Sequence, residues 1–276
     1  MPPARLALYA ATAGVLAITA YAVLRQAPPS EWSALILVGY VTLLLSGVLV
    51  LRWRVFVDAV VRGPRGSRGI ALTFDDGPHP KWTPRILEVL GQHGVSATFF
   101  VVGRKVDEHP EVVRAIAEAG HAIGLHSYAH DRLFSLRRES RVRADLEHGI
   151  AALERALGQR PRLFRPPIGH TNPTIARVVE ALDLIVVGWT IGGRDGVARA
   201  RPADVVARVR RDLHDGAIVL LHDAPERGER EPAAVRALPA ILDAIAAKRF
   251  EVVPLSGWIP GAMPTSAVQT GAGSTT

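Results

Sequence analysis

Two adjacent carboxylates follow a short apolar stretch in the first third of the chain. Asp75 and Asp76 lie in the segment 73-TFDDGPHP-80, directly after the apolar residues 70–74. Read alone, Asp-Asp-Gly-Pro favours a turn, because Asp, Gly and Pro are all common in turns. Two like charges at the end of a buried strand are unfavourable unless cationic groups lie beside them. The pair therefore predicts that other parts of the chain place cationic groups next to it.

Two histidines four residues apart, His126 and His130, end and follow a later apolar stretch, 122–126. By itself an HxxxH pair is more often two polar loop residues than a metal site. One carboxylate from a neighbouring strand end would complete a His₂Asp set with open coordination positions, which is typical of catalytic metal sites. One aspartate would then hold the cation, while the other stays ionised and takes a proton from the activated water.

Three further residues with useful chemistry end or follow apolar stretches. His222 is a candidate general acid, so that the whole set suits hydrolysis of an amide or an ester. Arg165 would keep the base aspartate in its charged form, and Asp195 would raise the basicity of His222. A metal ion, a base and a separate acid are together the components of a metal-dependent hydrolase.

These residues are far apart in sequence, and the pattern from Gly69 onward predicts the scaffold that would bring them together. Short runs rich in β-branched residues alternate with helical patterns, which favours a parallel sheet covered by helices. The number of strands favours an α/β barrel, in which functional residues collect at the carboxyl ends of the strands. The predicted strands are 70–74, 97–103, 122–126, 162–167, 184–189, 217–222 and 250–255.

Four stretches between these strands have a clear helical pattern. The first has Thr83 as a candidate N-cap, Pro84 in the first turn and Gly94 at its end. The second carries apolar residues at helical spacing and ends at Gly158. The predicted helices are 83–94, 140–158, 203–213 and 233–247.

The first 54 residues predict a transmembrane helical hairpin. The runs 6–24 and 32–51 contain no charged residue, and each is close to the ~20 residues with which a helix crosses a membrane. Trp32 and Trp53 stand where an interfacial aromatic belt would place them. Two buried core helices are the alternative. Ala20-Tyr21-Ala22 also resembles a signal-peptide cleavage site, and cleavage there would still leave the second run as a span.

Charge and composition divide the chain further. Residues 1–68 carry seven arginines and two acidic residues, which is +5 of the total net charge of +7, so a nucleic-acid partner is not expected. The loop between the two runs holds one arginine and residues 52–68 hold five, so the positive-inside rule predicts a catalytic domain in the cytoplasm, with an extracytoplasmic domain as the alternative. The predicted order is the hairpin, a basic linker at 55–68, a catalytic domain at 69–260 and a disordered tail at 261–276. The absence of cysteine excludes disulfides and thiolate ligands.

Over approximately residues 69–257 the chain resembles the polysaccharide deacetylase family, the NodB-homology or carbohydrate esterase family 4 group. The resemblance rests on five segments in order, which are 73-TFDDGP-78, 126-HSYAH-130, 165-RPPIG-169, 189-WTIGGRDG-196 and 220-LLH-222. It implies a distorted (β/α) barrel that removes the N-acetyl group from an N-acetylated sugar by means of metal-activated water. The implied sugar belongs to a cell-envelope polysaccharide or to a polyprenyl-linked glycan. A non-catalytic, membrane-anchored sugar-binding or assembly protein is the alternative.

The resemblance also implies a role for each residue that matches a motif. Asp75 is the implied general base, and Arg165 orients it. His222 protonates the leaving amine, and Asp195 tunes its basicity. The implied ligands of a divalent cation, usually Zn²⁺, are Asp76, His126 and His130.

The implied sugar site departs from the family pattern. Ile168 replaces the usual aromatic residue, although its backbone N–H would still stabilise the oxyanion, and Gly196 replaces the usual tryptophan. Gly192 fills a position that is usually acidic. The lost aromatic surface favours a short or lipid-linked substrate over a long chitin-like chain. The implied substrate-binding residues are Pro167, Ile168, Gly169, Trp189 and Leu220, with Leu220 lining the acetyl-methyl pocket.

Overall fold

The computed structural model describes residues 1–25 and 31–259, and within them one sheet of nine parallel strands forms the framework. The predicted tail 261–276 lies outside the described residues. The order across the sheet is β1-β6-β5-β4-β3-β2-β8-β7, and β9 pairs with the start of β2. The strands are β1 (Ala59–Val60), β2 (Gly69–Asp75), β3 (Thr98–Val101), β4 (Ala122–Leu125), β5 (Leu163–Phe164), β6 (Ile185–Val187), β7 (Ile191–Gly192), β8 (Ala217–His222) and β9 (Glu251–Val252).

The sheet curls into a distorted barrel. Strands β6 and β7 stand near opposite ends of the strand order, yet only residues 188–190 separate them in the chain. The two ends of the sheet must therefore approach each other. The prediction of an α/β fold with a distorted (β/α) barrel is confirmed, and all seven predicted strands are present, whereas β1 and β7 were not predicted.

Helices cover the sheet and precede it. The four predicted helices are present, whereas α4, α5 and α7 were not individually predicted. Thr83 is the first residue of its helix and not the N-cap, because its hydroxyl serves other partners that are described below. The helices are α1 (Pro3–Arg25), α2 (Glu31–Leu49), α3 (Thr83–Gln92), α4 (Gly103–Glu108), α5 (Pro110–Glu118), α6 (Glu139–Leu157), α7 (Pro173–Ala181), α8 (Pro202–Asp212) and α9 (Ala233–Ala247).

The longest fully buried strand is β2, which lies between β3 and β8. All seven of its residues are buried, which explains why its sequence is a continuous apolar run instead of an alternating one. Phe74 on β2 stacks on Phe99 of β3, with ring centroids 5.1 Å apart. In the register with β8, Asp75 stands opposite His222, so the packing that fixes the strands also fixes these two side chains.

The two N-terminal helices, α1 and α2, pack against each other, and among their residues only Leu8 and Gly47 are buried. Both are long and apolar enough to cross a membrane by length and composition, and they are not buried in the core of the domain. The chain enters the folded domain directly after α2, because Leu51 is only 5% exposed and belongs to the hydrophobic core. The segment 55–68, interpreted above as a linker, contributes β1, whose Ala59 and Val60 pair with β6. This part of the segment is therefore folded onto the sheet.

Candidate active site

The carboxyl ends of four strands place their polar residues at one edge of the sheet. Asp75 ends β2, His222 ends β8, His126 follows β4 and Arg165 follows β5. Residues at this edge surround a cavity of about 330 Å³, the catalytic cavity. Its lining includes Asp75, Asp76, His126, His130, Ile168, Gly169, Trp189, Arg194, Gly196, Leu220 and His222.

One carboxylate and two imidazoles in this cavity form a candidate metal site. Nε2 of His130 lies 3.1 Å and Nε2 of His126 lies 3.6 Å from Oδ1 of Asp76. One ligand atom from each of the three residues lies within 4.8 Å of the other two. Oδ1 of Asp76 is buried, yet it accepts no well-aligned hydrogen bond from the described residues. Because an orphaned buried carboxylate oxygen is costly, these residues fit a divalent cation, and His₂Asp is a donor set that suits zinc.

The surroundings of His126 prepare its ring for a cation. Nδ1 of His126 lies 2.8 Å from the carbonyl oxygen of Arg165 and donates to it, which leaves Nε2 facing Asp76. Burial lowers the pKa of His126, and a neutral imidazole is the form that binds metal.

The Nδ1 atom of His130 has a more distant partner than that of His126. Its Nδ1 lies 3.8 Å from Oε1 of Glu226, and its backbone N–H donates to Oγ of Ser127 at 2.9 Å. Burial alone would lower the pKa of His130, but contact with Asp76 outweighs burial and raises it. The reverse holds for Asp76, whose pKa burial alone would raise. Contact with His130 and the nearby charges of His222 and His126 hold the pKa of Asp76 below its ordinary value, so this carboxylate is ionised and able to bind a cation.

The second aspartate of the pair, Asp75, faces a buried arginine. Nη1 of Arg165 donates to Oδ1 of Asp75 at 2.7 Å and to Oγ1 of Thr73 at 2.9 Å. The same guanidinium donates to the carbonyl oxygens of Val187 and Gly188, both at 3.1 Å. Arg165 is fully buried, and these four bonds fix its orientation. The arginine therefore holds the carboxylate of Asp75 in one position at the edge of the cavity.

Next to Asp75, at the end of the adjoining strand β8, His222 is paired with Asp195. Oδ1 of Asp195 lies 3.1 Å from Nδ1 of His222, and Oδ2 accepts the backbone N–H of His222 at 2.8 Å. Asp195 is fully buried. Burial alone would lower the pKa of His222, but the charge and hydrogen bond of Asp195 outweigh it and raise this pKa to about 10. His222 is thus protonated at neutral pH, as a general acid must be.

Two residues that contact the Asp-Gly-Pro turn or its neighbours, Lys105 and Asp223, were not assigned a role from the sequence, and Thr83 was predicted only as a helix N-cap. Nζ of Lys105 donates to the carbonyl oxygen of Asp76 at 2.7 Å and so holds the turn from below. The hydroxyl of Thr83 donates to the buried carboxyl of Asp223, and burial raises the pKa of that carboxyl to about 7. A Cβ at Gly77 would lie 2.2 Å from Oδ2 of Asp223, which explains the glycine. The position of Asp223 directly after His222 was the only signal of this role in the sequence.

The predicted sugar-binding residues fall into two groups. Ile168, Gly169, Trp189 and Leu220 line the catalytic cavity, whereas Pro167 is buried and does not. Ile168 is 44% exposed and has a φ of 50°, which is strained for a β-branched residue. The exposed apolar rim at Ile168 stands where the family has an aromatic residue.

Comparisons with known proteins agree with this fold and show the family of the chain. The family profile described as Polysaccharide deacetylase matches residues 62–187. A chitooligosaccharide deacetylase from Bradyrhizobium sp. is 36% identical over 199 residues, which are 69% of this chain and 90% of the relative. The chain belongs to the polysaccharide deacetylase family, and the resemblance inferred from the five motifs is confirmed. Carbohydrate deacetylation is the activity class of this family.

Among the solved structures with a similar fold are a deacetylase and a pseudoenzyme. A peptidoglycan N-acetylglucosamine deacetylase superposes with a TM-score of 0.68 at 30% identity, covering 73% of this chain and 92% of that chain. A carbohydrate esterase family 4 pseudoenzyme from Bacillus anthracis superposes with a TM-score of 0.66 at 27% identity, covering 73% of this chain and 68% of that chain. Since the fold also occurs in a pseudoenzyme, catalysis by this chain depends on its own site residues.

Proposed function

We propose that this protein is a metal-dependent hydrolase that removes the N-acetyl group from an N-acetylated sugar. The observation that carries the proposal is the presence of three groups of catalytic residue types around one cavity. A candidate base with its arginine, a candidate metal site and a candidate acid with its aspartate all line or contact that cavity. The proposed metal ligands are Asp76, His126 and His130, with Zn²⁺ as the proposed ion.

In the proposed reaction the metal ligands, the base and the acid each have a separate role. A divalent cation held by the His₂Asp set would polarise the acetyl carbonyl and activate the attacking water. Asp75, held by Arg165, accepts a proton from the water as its oxygen bonds to the carbonyl carbon. His222 then gives its proton to the sugar nitrogen as the C–N bond breaks. The products are acetate and a free amino sugar, and the backbone N–H of Ile168 is proposed to stabilise the oxyanion between these steps.

A binding protein without catalysis is the competing function, and similarity to a pseudoenzyme favours it. Binding alone would not require an acid whose pKa is raised or a base held by a buried arginine. A measurement of bound metal separates the two functions, since a purified chain that takes up no divalent ion would favour the binding role.

We also propose that the two N-terminal helices anchor the protein in the membrane and that its substrate is a glycan near the membrane, either polyprenyl-linked or part of the cell envelope. The end of α2 and the rim of the site line a common cavity of about 240 Å³, the juxtamembrane cavity, which residues 49–52 share with Ile168 and Trp189. The backbone N–H of Thr171 also donates to the carbonyl oxygen of Val48 in α2 at 3.0 Å. This contact supports a catalytic cavity held next to the membrane surface. A domain facing the cytoplasm would meet polyprenyl-linked sugars, whereas an outward-facing domain would meet peptidoglycan or an exported polysaccharide.

Acetate release by the purified full-length chain tests the proposed activity. The substrates are chitooligosaccharide, peptidoglycan and a polyprenyl-linked N-acetyl sugar, and we expect release from at least one. His222→Ala should lower the rate by about 10²–10⁴-fold, because the leaving amine loses its proton donor. His93→Ala, which alters an exposed histidine at the end of α3, is the matched control and should retain the rate. Absence of release from every N-acetyl sugar by the metal-loaded protein would refute the proposal.

A further inference from the structure

A second cavity, of about 560 Å³, adjoins the catalytic cavity and contains an unusual concentration of positive charge. The two cavities share four lining residues, Trp189, Arg194, Leu220 and His222. We call the second one the arginine cavity, because Arg194, Arg208 and Arg211 all line it. Its volume lies within the range of ordinary small-molecule sites.

The positive charge of the arginine cavity is only partly neutralised. Asp212 is the one acidic residue among the described lining residues, and its carboxylate binds the neighbouring guanidinium of Arg211. Within the described residues Arg194 and Arg208 form no ion pair. Nε of Arg208 is buried and has no hydrogen-bond partner among these residues. A buried, unsatisfied donor on a charged group is unfavourable, so this cavity is suited to an anion.

Two glycines shape the loop between the catalytic cavity and the arginine cavity. Gly196 stands against His222, since a Cβ there would lie 3.1 Å from Cε1 of the ring. Gly192 stands against Trp189, with 3.5 Å between an added Cβ and the indole Nε1. Between these glycines, Arg194 has a φ of 55°, and strained backbone of this kind is concentrated at ligand sites. Two of the three departures from the family pattern, Gly192 and Gly196, thus lie where the catalytic cavity meets the arginine cavity.

We propose that the arginine cavity binds an anionic substituent, a phosphate or a carboxylate, of the same glycan that is deacetylated in the adjoining catalytic cavity. This proposal rests on the proposed function. Guanidinium groups bind both anions through paired N–H donors, which gives direction as well as affinity. A phosphate would belong to a sugar linked to a lipid carrier, whereas a carboxylate would belong to an acidic sugar of a wall polymer. Either group would place the N-acetyl sugar between Leu220 and the candidate acid, His222.

The test compares neutral and anionic substrates on the full-length, metal-loaded chain. The probes are an N-acetylglucosamine tetramer, N-acetylglucosamine 1-phosphate and a disaccharide that contains N-acetylmuramic acid. For the anionic probe that is preferred, Arg194→Met and Arg208→Met should each lower kcat/KM by about tenfold or more, and by more than they lower it for the tetramer. Arg208 lies outside the lining of the catalytic cavity, so Arg208→Met should keep the rate on the tetramer within about twofold. Arg210→Met, on the exposed side of α8, is the matched control. Because Arg194 is exposed, its variant remains informative if Arg208→Met does not fold.

The outcomes separate this inference from the proposed function. Equal effects of the arginine variants on neutral and anionic probes, or no preference for either anion, would overturn the inference and leave deacetylation intact. Calorimetric binding of the three probes is measured in parallel. If neither these probes nor the substrates of the acetate-release test are deacetylated, but an anionic probe binds in an Arg194-dependent manner, the anion site stands and the deacetylase proposal falls. Preference for the phosphate or for the carboxylate probe identifies the source of the anion.

Discussion

The adjacent aspartates occupy one cavity although neighbouring strand residues normally point to opposite faces. The chain leaves β2 at this point, and Asp76 has a φ of 74°, which turns its side chain into the cavity beside Asp75. Each carboxylate then has its own basic partner, Arg165 at 2.7 Å from Asp75 and His130 at 3.1 Å from Asp76. The ring of His126 lies within 3.7 Å of both carboxylates, so the two like charges share surroundings that offset them.

Asp75→Asn is predicted to separate catalysis from metal binding. The amide keeps the size of the side chain but cannot accept the proton, so the deacetylation rate should fall by about 10²–10⁴-fold. Metal content, measured by mass spectrometry of the purified protein, should stay at the wild-type level. Asp76→Asn is the companion variant and should lose affinity for the ion. Loss of the ion from Asp75→Asn, or an unchanged rate, would contradict the division between the two residues.

Asp195→Asn is predicted to shift the pH profile of the reaction. The pKa of His222 is raised to about 10, so the protonated acid is present below that pH and is lost as the pH rises through it. Removal of the Asp195 charge should lower the pKa of His222. The alkaline limb of kcat/KM should therefore move to lower pH by about 1–3 units. Asp243→Asn, at an exposed position on α9, should leave the limb unchanged, and an unmoved limb in Asp195→Asn would show that Asp195 does not tune the acid.

At the level of the elements, sequence patterns identified the long and deeply buried parts of the fold. Strands buried on both faces have continuous apolar runs, so β2 and β8 are recognisable. Strands β1 and β7 have two residues each, and they exist only through pairing with β6 and β8 across the sheet. Helices α4 and α5 have six and nine residues and meet near Pro110, so neither is long enough for a clear helical period.

Part of the candidate site could also not be predicted from the sequence. The motif residues were recognisable by their type and their position at strand ends, and the structure places them around one cavity. Arg208 and Arg211 have no such signal, because arginines on the polar face of an amphipathic helix are usually solvated. Only the packing of α8 beside β7 brings them next to His222.

The approach of α4 to α6 leads to a stability prediction. A Cβ at Gly103 would lie 2.9 Å from the Cα of Gly149 and 3.1 Å from the Cα of Tyr128. Because both contacts are with backbone, Gly103→Ala should reduce the free energy of unfolding by about 1–3 kcal/mol. Gly91→Ala in α3 meets nothing within 4 Å and should be neutral or stabilising by up to about 1 kcal/mol. Thermal unfolding followed by circular dichroism measures both, and equal melting temperatures would contradict the tight contact.

At the level of the whole molecule, the hairpin and the domain are joined by more than a chain connection. The guanidinium of Arg5 in α1 binds the carboxylate of Asp58 at 3.0 Å and donates to the carbonyl oxygen of Val55 at 2.8 Å. Leu51 is buried in the core of the domain, directly after α2. If the two helices span the membrane, these contacts would hold the catalytic cavity close to its surface.

The membrane side of the domain is predicted from the arginine distribution. The positive-inside rule places residues 52–68, and hence the catalytic domain, in the cytoplasm. Protease added to intact spheroplasts should leave the domain undigested, and the same protease should digest it after lysis. Digestion in intact spheroplasts would reverse the topology and shift the expected substrate to peptidoglycan or an exported polysaccharide.

The central claim is that a cation held by Asp76, His126 and His130 is required for deacetylation. The most direct test strips the purified full-length chain with a chelator and then follows acetate release as Zn²⁺ is added back. We predict no release by the stripped protein and a rise that saturates at one ion per chain. Activity that survives complete removal of metal, or a chain that binds no ion at this site, would contradict the account.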